Sequence, residues 1–259
     1  MSHSHHSYGD ITERPGVESS REGADMLYSR YAHAAAVGRG RRVLEVGCGP
    51  GLGLGLMAEH AAAVVGGDLD EGLLAQAKST YDHEIPLLQL DGQELPFADG
   101  SFDVVLFFEG SYYVPDMDRV MDEMARVAAP EGTLLFVNAN PERPDFIPSP
   151  LSVHYHTAEE FRKGLEARGF KVVVEGAFPL DERGPLARAL TLARKVATRL
   201  GLIPRTLAGR ALLKRLVSGR LIRIPARIGE GFGQPGARQP IAPGATAPGW
   251  KVLYVTATR

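Results

Sequence analysis

Glu45 stands two residues before four closely spaced glycines, Gly47, Gly49, Gly51 and Gly53, in the stretch VLEVGCGPGLG at 43–53. A glycine cluster costs backbone entropy on folding and marks a place where the chain bends sharply or lies close to something. Between a first strand and a helix of an open α/β sheet, such a turn is a nucleotide-cofactor site at the carboxyl ends of the strands. Spacing excludes two phosphate-binding versions of it. The dinucleotide pattern G-x-G-x-x-G fails in every register, because Leu52, Leu54 or Leu56 occupies the sixth position. No Gly-Lys-Ser/Thr follows, so the turn is not a P-loop either. A carboxylate beside the turn is awkward for a phosphate and well suited to a cation.

Other groups able to do chemistry sit after further apolar runs. Asp68 lies in VVGGDLD, Asp91 in LLQLDGQELPF, and Glu109 and Tyr112 in FFEGSYYVPD. His154 and His156, in SVHYHT, have the ordinary pKa range of a base that could deprotonate an oxygen nucleophile near neutrality. Each has a plainer alternative. Asp68 could cap the next helix, Asp91 could serve a turn, Glu45 could order the loop through its amides, and the histidines could belong to a lid. Cys48, the single cysteine, reads as a small residue in a crowded turn; alone it allows no intramolecular disulfide and no cysteine zinc cage. Its rarity fits a reducing, cytoplasmic setting.

The elements that must position these groups follow an alternating pattern. Apolar runs of strand length occur at 42–46, 63–67, 85–90, 102–108 and 133–138, with a sixth strand at 171–175 and a seventh in WKVLYVTATR at 250–259. A helix is expected from about Ser20 to Val37, with Met26, Leu27 and Tyr31 on its apolar side. Tyr28 and Tyr31 could close a pocket or simply pack. Val120, Met124 and Val127, with Met121 and Ala128, form one helical face before the breakers Pro130-Glu131-Gly132. Thr157 should cap a helix running to Arg168-Gly169. Strands apolar on both faces, alternating with helices, predict a parallel sheet covered on both sides. Between Asn140 and that cap, PERPDFIPSPL carries four prolines in eleven residues and should be a semi-rigid crossing loop.

The 259 residues carry a formal charge of −2, which hides an uneven distribution: 183–227 holds twelve Lys and Arg and no acid. The spacing of Leu186, Leu190, Ala193, Ala197 and Leu200 predicts an amphipathic helix. A second is expected over 207–217, followed by a Gly/Pro-rich return at 229–249. This divides the chain into a tail and leading helix (1–40), a core (41–180 plus 250–259) and a basic helical insertion (181–249). The start, MSHSHHSYGD, lacks the apolar stretch of a signal peptide, and no segment reaches the roughly 18 apolar residues of a membrane span. No cluster of residues asks for a metal.

With its E-x-G-x-G-x-G turn, its spaced acids and its Arg126-Val127-Ala128-Ala129-Pro130-Glu131-Gly132 turn, the sequence resembles the class I S-adenosylmethionine-dependent methyltransferases, small-molecule type. The likeness runs over about 40–175 and the last strand. It implies a Rossmann-like seven-stranded sheet, mostly parallel with the last strand antiparallel, helices on both faces, and S-adenosylmethionine as cofactor with S-adenosylhomocysteine as product. In that family's terms Asp68 matches the carboxylate that holds the ribose hydroxyls, Leu69 the apolar residue under the adenine, and Asp91 the acceptor of the adenine amine. Gly92 and Gln93 follow in the same loop, Gly47, Cys48, Gly49 and Gly51 form the turn, and Glu45, Phe108 and Glu109 line the ligand. Glu109 and Tyr112 should face the methyl group's target. Where small-molecule members often carry His-His, this chain has Tyr112-Tyr113, so the catalytic residue stays open among Glu109 and Tyr112 at this turn and His154 and His156 beyond the proline-rich loop.

The resemblance implies methyl transfer to a small-molecule acceptor, an oxygen of a secondary metabolite or sugar being the leading expectation. A membrane lipid or quinone is the alternative acceptor, reached through peripheral contact of 183–227, and a catalytically silent cofactor-binding protein is another reading. Nucleic acid is disfavoured, because the fourth strand ends in FEGSYYVPD without the Asn/Asp-Pro-Pro-Tyr type of motif. A homodimer is compatible with the sequence. The insertion could be a lid, a membrane contact or a solvated helical pair.

Overall fold

The computed structural model describes residues 13–180 and 221–259. The two amphipathic helices expected within 186–217 therefore lie outside the described residues. The first described element is β1 (Glu18–Ser19), and Ser20 then caps α1 (Arg21–Val37) by accepting from the Gly23 amide at 3.1 Å. Next come β2 (Arg42–Val46), the short α2 (Leu54–Ala58), β3 (Ala63–Asp68), α3 (Glu71–Tyr81), β4 (Leu87–Gln89) and β5 (Phe102–Phe108). They are followed by α4 (Met117–Val127), β6 (Ala128–Ala139), α5 (Ala158–Glu166) and β7 (Lys171–Pro179). The last elements are β8 (Ile222–Arg223), β9 (Arg238–Pro240) and β10 (Trp250–Thr258).

Among the described residues, eight strands form the main sheet in the order β4-β3-β2-β5-β6-β10-β7-β9. The five strands from β4 to β6 run parallel, whereas β10 enters antiparallel between β6 and β7. The order reverses direction at β2 and β5, so their carboxyl ends flank the crevice where an open α/β sheet takes its ligand. The sheet has one strand more than the sequence predicts. That strand, β9, is three residues long and lies in a stretch of glycines and prolines, too short to show any periodicity.

Alternation along the strands assigns the faces. In β5, Val105 and Phe107 join the core under α4 and α5, while Val104, Leu106 and Phe108 join the core under α1, α2 and α3. In β2, Leu44 and Val46 belong to the first core and Val43 to the second. The same period of two turns Glu45 toward α1. A carboxylate thus occupies a position that geometry reserves for a core side chain.

Residues 221–249, which include the Gly/Pro-rich return expected at 229–249, contain no helix. They form a strap across α1 and the glycine turn. β8 pairs antiparallel with β1, the Ile228 amide donates to the Leu52 carbonyl at 2.9 Å, and the Gln234 amide donates to Asp25 at 2.8 Å. Ile224 and Ile228 are buried in the α1-side core, and the Arg227 guanidinium lies 4.7 Å from the centre of the Tyr81 ring.

Candidate functional site

Three glycines of the turn, Gly47, Gly49 and Gly51, have φ of 70°, 53° and 75°, in the left-handed region that L side chains rarely adopt. A Cβ at Gly47 would press on Phe107 at 2.7 Å and one at Gly51 on Tyr81 at 2.9 Å; one at Gly49 would meet nothing within 4 Å. The turn is therefore packed from below and open at Gly49. Gly53 is needed for another reason, since a Cβ there would fall 2.0 Å from the Tyr31 ring. Tyr81, fully buried at the end of α3, fixes the turn from behind: its hydroxyl donates to the Gly51 carbonyl at 2.6 Å and accepts from the Gly55 amide at 3.0 Å.

Glu45 closes the other side. It is 1% exposed; its Oε1 accepts from the Tyr31 hydroxyl at 2.8 Å, and its Oε2 is buried with no hydrogen-bond partner. Burial pushes its pKa from 4.5 up to about 8, against the opposing pull of the Tyr31 hydrogen bond and the Arg30 charge. A carboxyl in that state gains from any cation that reaches its free oxygen. Cys48 is buried, its thiol pushed far up by burial and by Glu45, which makes it a poor nucleophile.

Asp68, at the end of β3, accepts from the Gly49 amide at 2.7 Å through Oδ2 and from the Asp70 amide at 2.8 Å through Oδ1. The helix cap is Asp70, which takes the Leu73 amide at 3.0 Å, so Asp68 is not the capping residue of α3. Burial raises the Asp68 pKa while the two amides oppose it. Each oxygen keeps a lone pair for a further donor. Leu69 beside it is 55% exposed. Asp91 orders its own loop, accepting from the Gln93 amide at 2.9 Å and the Gln93 side chain at 3.2 Å. α4 anchors that loop: Arg119 donates to the Gln93 carbonyl at 2.7 Å, and Arg126 to the carbonyls of Leu95 and Phe97 at 2.9 and 2.7 Å. Gly92 packs against Val46 and Val120, where an added Cβ would lie 3.1 and 3.6 Å away.

Glu109 follows β5 with φ of 49°, a left-handed conformation that costs a non-glycine residue on the order of 1 kcal/mol or more. Its amide donates to the Val137 carbonyl at 2.8 Å and its carboxylate accepts from the Tyr112 hydroxyl at 3.1 Å. Burial raises the Glu109 pKa, with the Arg30 charge opposing, and burial with the neighbouring Glu109 pushes Tyr112 far above the usual phenol range. Phe108 meets the Tyr31 ring edge-on at 5.7 Å, which links the strand end to α1.

The crossing loop returns over this end of the sheet. The Val153 amide donates to the Tyr112 carbonyl at 2.7 Å, and the Tyr155 ring stacks on Tyr112 at 4.2 Å. The His154 and His156 rings meet each other edge-on, 4.6 Å apart. Exposed His154 contacts Glu160 of the α5 capping box at 3.0 Å, and His156 packs on Phe161 at 5.4 Å. Burial and His154 lower the His156 pKa. Thus the turn, Glu45, Asp68, Asp91, Phe108, Glu109 and Tyr112 gather at the strand ends, while the histidines contact each other and Glu160 and Phe161 of α5.

Two residues of the site do not emerge from the sequence reading. Arg30 is 5% exposed and ion-paired with Glu13 of the N-terminal segment, and its Nε is buried without a partner. The signal was available, because Leu27, Arg30, Tyr31 and Ala34 fall on one helical stripe and three of the four are apolar or aromatic core residues. Among the described residues no helix is long and apolar enough to cross a membrane, and no cluster of three or more His, Cys, Asp or Glu could hold a metal.

Residues 44–136 match the family model described as a methyltransferase domain. The chain is 36% identical over 155 residues to a probable S-adenosylmethionine-dependent methyltransferase of Mycolicibacterium smegmatis, covering 57% of this chain and 58% of that relative. It is 30% identical over 194 residues to a fatty-acid O-methyltransferase of the same organism, covering 67% and 70%. The chain thus spans little more than half of the first relative's length and over two thirds of the second's. The crystal structure of the YcgJ protein of Bacillus subtilis superposes with a TM-score of 0.58 at 15% identity, covering 90% of this chain and 98% of that one, a likeness of fold alone.

Proposed function

The chain belongs to the class I S-adenosylmethionine-dependent methyltransferases, and on that premise we propose that it transfers a methyl group from S-adenosylmethionine to an oxygen of a small-molecule acceptor. The observation that carries the reading is Glu45: a buried carboxyl with one unpartnered oxygen, beside a turn that is open at Gly49. Those residues fit a ligand with a cationic amino-acid end and no phosphate. Bound there, the cofactor supplies a methyl already activated on a sulfonium, so the protein's task is to orient and to exclude water. In this reading Glu45 answers the cation of the amino-acid end, the turn of Gly47, Cys48, Gly49 and Gly51 lies beneath it, and Asp68 offers its remaining lone pairs to the ribose. Leu69 provides apolar surface for the adenine, Asp91 with Gly92 and Gln93 borders it, and Phe108 closes the floor. Glu109 and Tyr112 bound the acceptor side. Should the acceptor be a hydroxyl, Glu109 is placed to take its proton, because a raised pKa makes its carboxylate a stronger base. The name of the fatty-acid relative supports oxygen as the acceptor atom.

Calorimetric titration with S-adenosylhomocysteine tests the reading. Wild type should bind, and Asp68→Ala should weaken binding by roughly tenfold or more, the scale of lost hydrogen bonds to a charged group. Equal affinity would remove the ribose assignment, and binding without any turnover would leave a silent cofactor-binding protein. His154→Ala and His156→Ala should both keep turnover, since their contacts lie on α5; loss in either, with cofactor affinity intact, would restore a histidine base.

A second reading, an acceptor presented at a membrane surface, is favoured by Ile147, Leu151 and Val153, which are 50%, 46% and 60% exposed on the crossing loop. Liposome flotation decides it: absence from anionic vesicles ends this reading.

A further inference from the structure

Arg30 is a buried guanidinium whose recorded carboxylate partner, Glu13, comes from the segment leading into β1. That segment reaches the site through the pairing of β1 with β8 and through the Gly16 amide, which donates to the Ile224 carbonyl at 2.8 Å. The guanidinium sits 5.6 Å from the centre of the Tyr31 ring; the same ring contacts Phe108 and its hydroxyl holds Glu45. Arg30 is therefore part of the wall between the cofactor turn and the acceptor side. Its Nη1 and Nη2 face the two oxygens of Glu13, and its Nε is left without an acceptor. Such a fork matches one carboxylate and keeps a donor in reserve.

We propose that Arg30 anchors the carboxylate of the acceptor, an apolar monocarboxylic acid, in the place that Glu13 occupies in the structure. The inference rests on the methyl-transfer reading above. A carboxylate suits this site for a chemical reason: it arrives ionised and needs no base. One carboxylate oxygen, held by Arg30, leaves the other free to form the new O–C bond as the methyl's bond to sulfur breaks. The sulfur keeps that electron pair, the acceptor's negative charge and the sulfonium's positive charge cancel, and no proton moves. The products are a methyl ester and S-adenosylhomocysteine. Tyr112, Tyr155 and Phe146, whose rings contact in sequence at 4.2 and 4.6 Å, offer the acid's apolar body a wall. In this arrangement Glu13 is an internal competitor, and the buried charge of Arg30 is never left bare.

The test uses the full chain saturated with S-adenosylhomocysteine and titrated calorimetrically with dodecanoate and benzoate, against 1-dodecanol and benzyl alcohol. At least one acid should bind ten times or more tighter than its alcohol. Arg30→Gln should lose that preference tenfold or more while S-adenosylhomocysteine affinity holds. Glu13→Gln should tighten acid binding several-fold, an effect that a purely structural ion pair would not produce. With S-adenosylmethionine the preferred acid should yield its methyl ester by mass spectrometry. Should Arg30→Gln fail to fold, Arg30→Lys should still weaken acid binding relative to the alcohol. The proposal falls if acids and alcohols bind alike, if neither acid binds, or if Arg30→Gln keeps the preference. Failure to bind S-adenosylhomocysteine at all would instead sink the methyl-transfer reading.

Discussion

Replacing Glu45 by glutamine should make the protein more stable and less able to hold its cofactor. The side chain is fully buried, with one oxygen satisfied by Tyr31 and the other by nothing. Its pKa rises from an ordinary 4.5 in the unfolded chain to about 8 in the folded one. A group raised in this way contributes its full share of stability below pH 4.5 and loses it as pH climbs toward 8. At about 1.36 kcal/mol per pKa unit, the loss is about 3 kcal/mol by pH 7 and approaches about 5 kcal/mol above pH 8, as upper values. Glutamine keeps an acceptor for the Tyr31 hydroxyl and carries no charge to bury. Thermal unfolding of both proteins from pH 5 to 9 should therefore give curves that lie close at the acid end and diverge with rising pH. At about 2–4 °C per kcal/mol for a domain of this size, the variant should gain on the order of 10 °C at pH 8. The same variant should bind S-adenosylhomocysteine weakly, since an amide cannot answer a cation as a carboxylate does. Parallel Tm profiles across the range would refute the raised pKa, and undiminished cofactor affinity would refute the role.

Two other substitutions probe the support. Tyr81→Phe removes the hydroxyl that joins Gly51 and Gly55 and should cost about 1–3 kcal/mol in denaturant unfolding, with weaker cofactor binding, because two buried backbone groups lose their partner. Thr157→Ala dismantles the capping box of α5 and should cost about 1 kcal/mol while leaving cofactor affinity unchanged; a change in affinity would show that α5 reaches the site.

The strands that build the crevice were legible because their apolar runs are long or framed by breakers, and α1 and α5 because Ser20 and Thr157 announce their starts. Asp68 and Asp91 could be placed on strand ends from their offsets alone. The pairings of β1 with β8 and of β9 with β7 were not legible: β1, β8 and β9 have only two or three residues each, and the partners lie far apart in sequence, so no local pattern encodes them. The orientation of His154 and His156 was lost for a related reason. SVHYHT was expected to pass over the strand ends, and a shift of one residue decides whether Tyr155 or the histidines meet Tyr112; the stacking of Tyr155 on Tyr112 makes that choice. Arg30 was not legible because the stripe that buries it is otherwise made of apolar and aromatic residues. Its partner, Glu13, lies seventeen residues earlier in an irregular segment.

Tyr81 ties the glycine turn to α3 by one oxygen, and Tyr31 leans on the same turn from α1. The turn is thus braced from two helices. On the proposed reading, loading and emptying it would fall to the segment carrying Glu13 and to the loop that brings Tyr155 onto Tyr112. The pace of each catalytic round would then be set by those two coverings, while the seat of the methyl donor stays still.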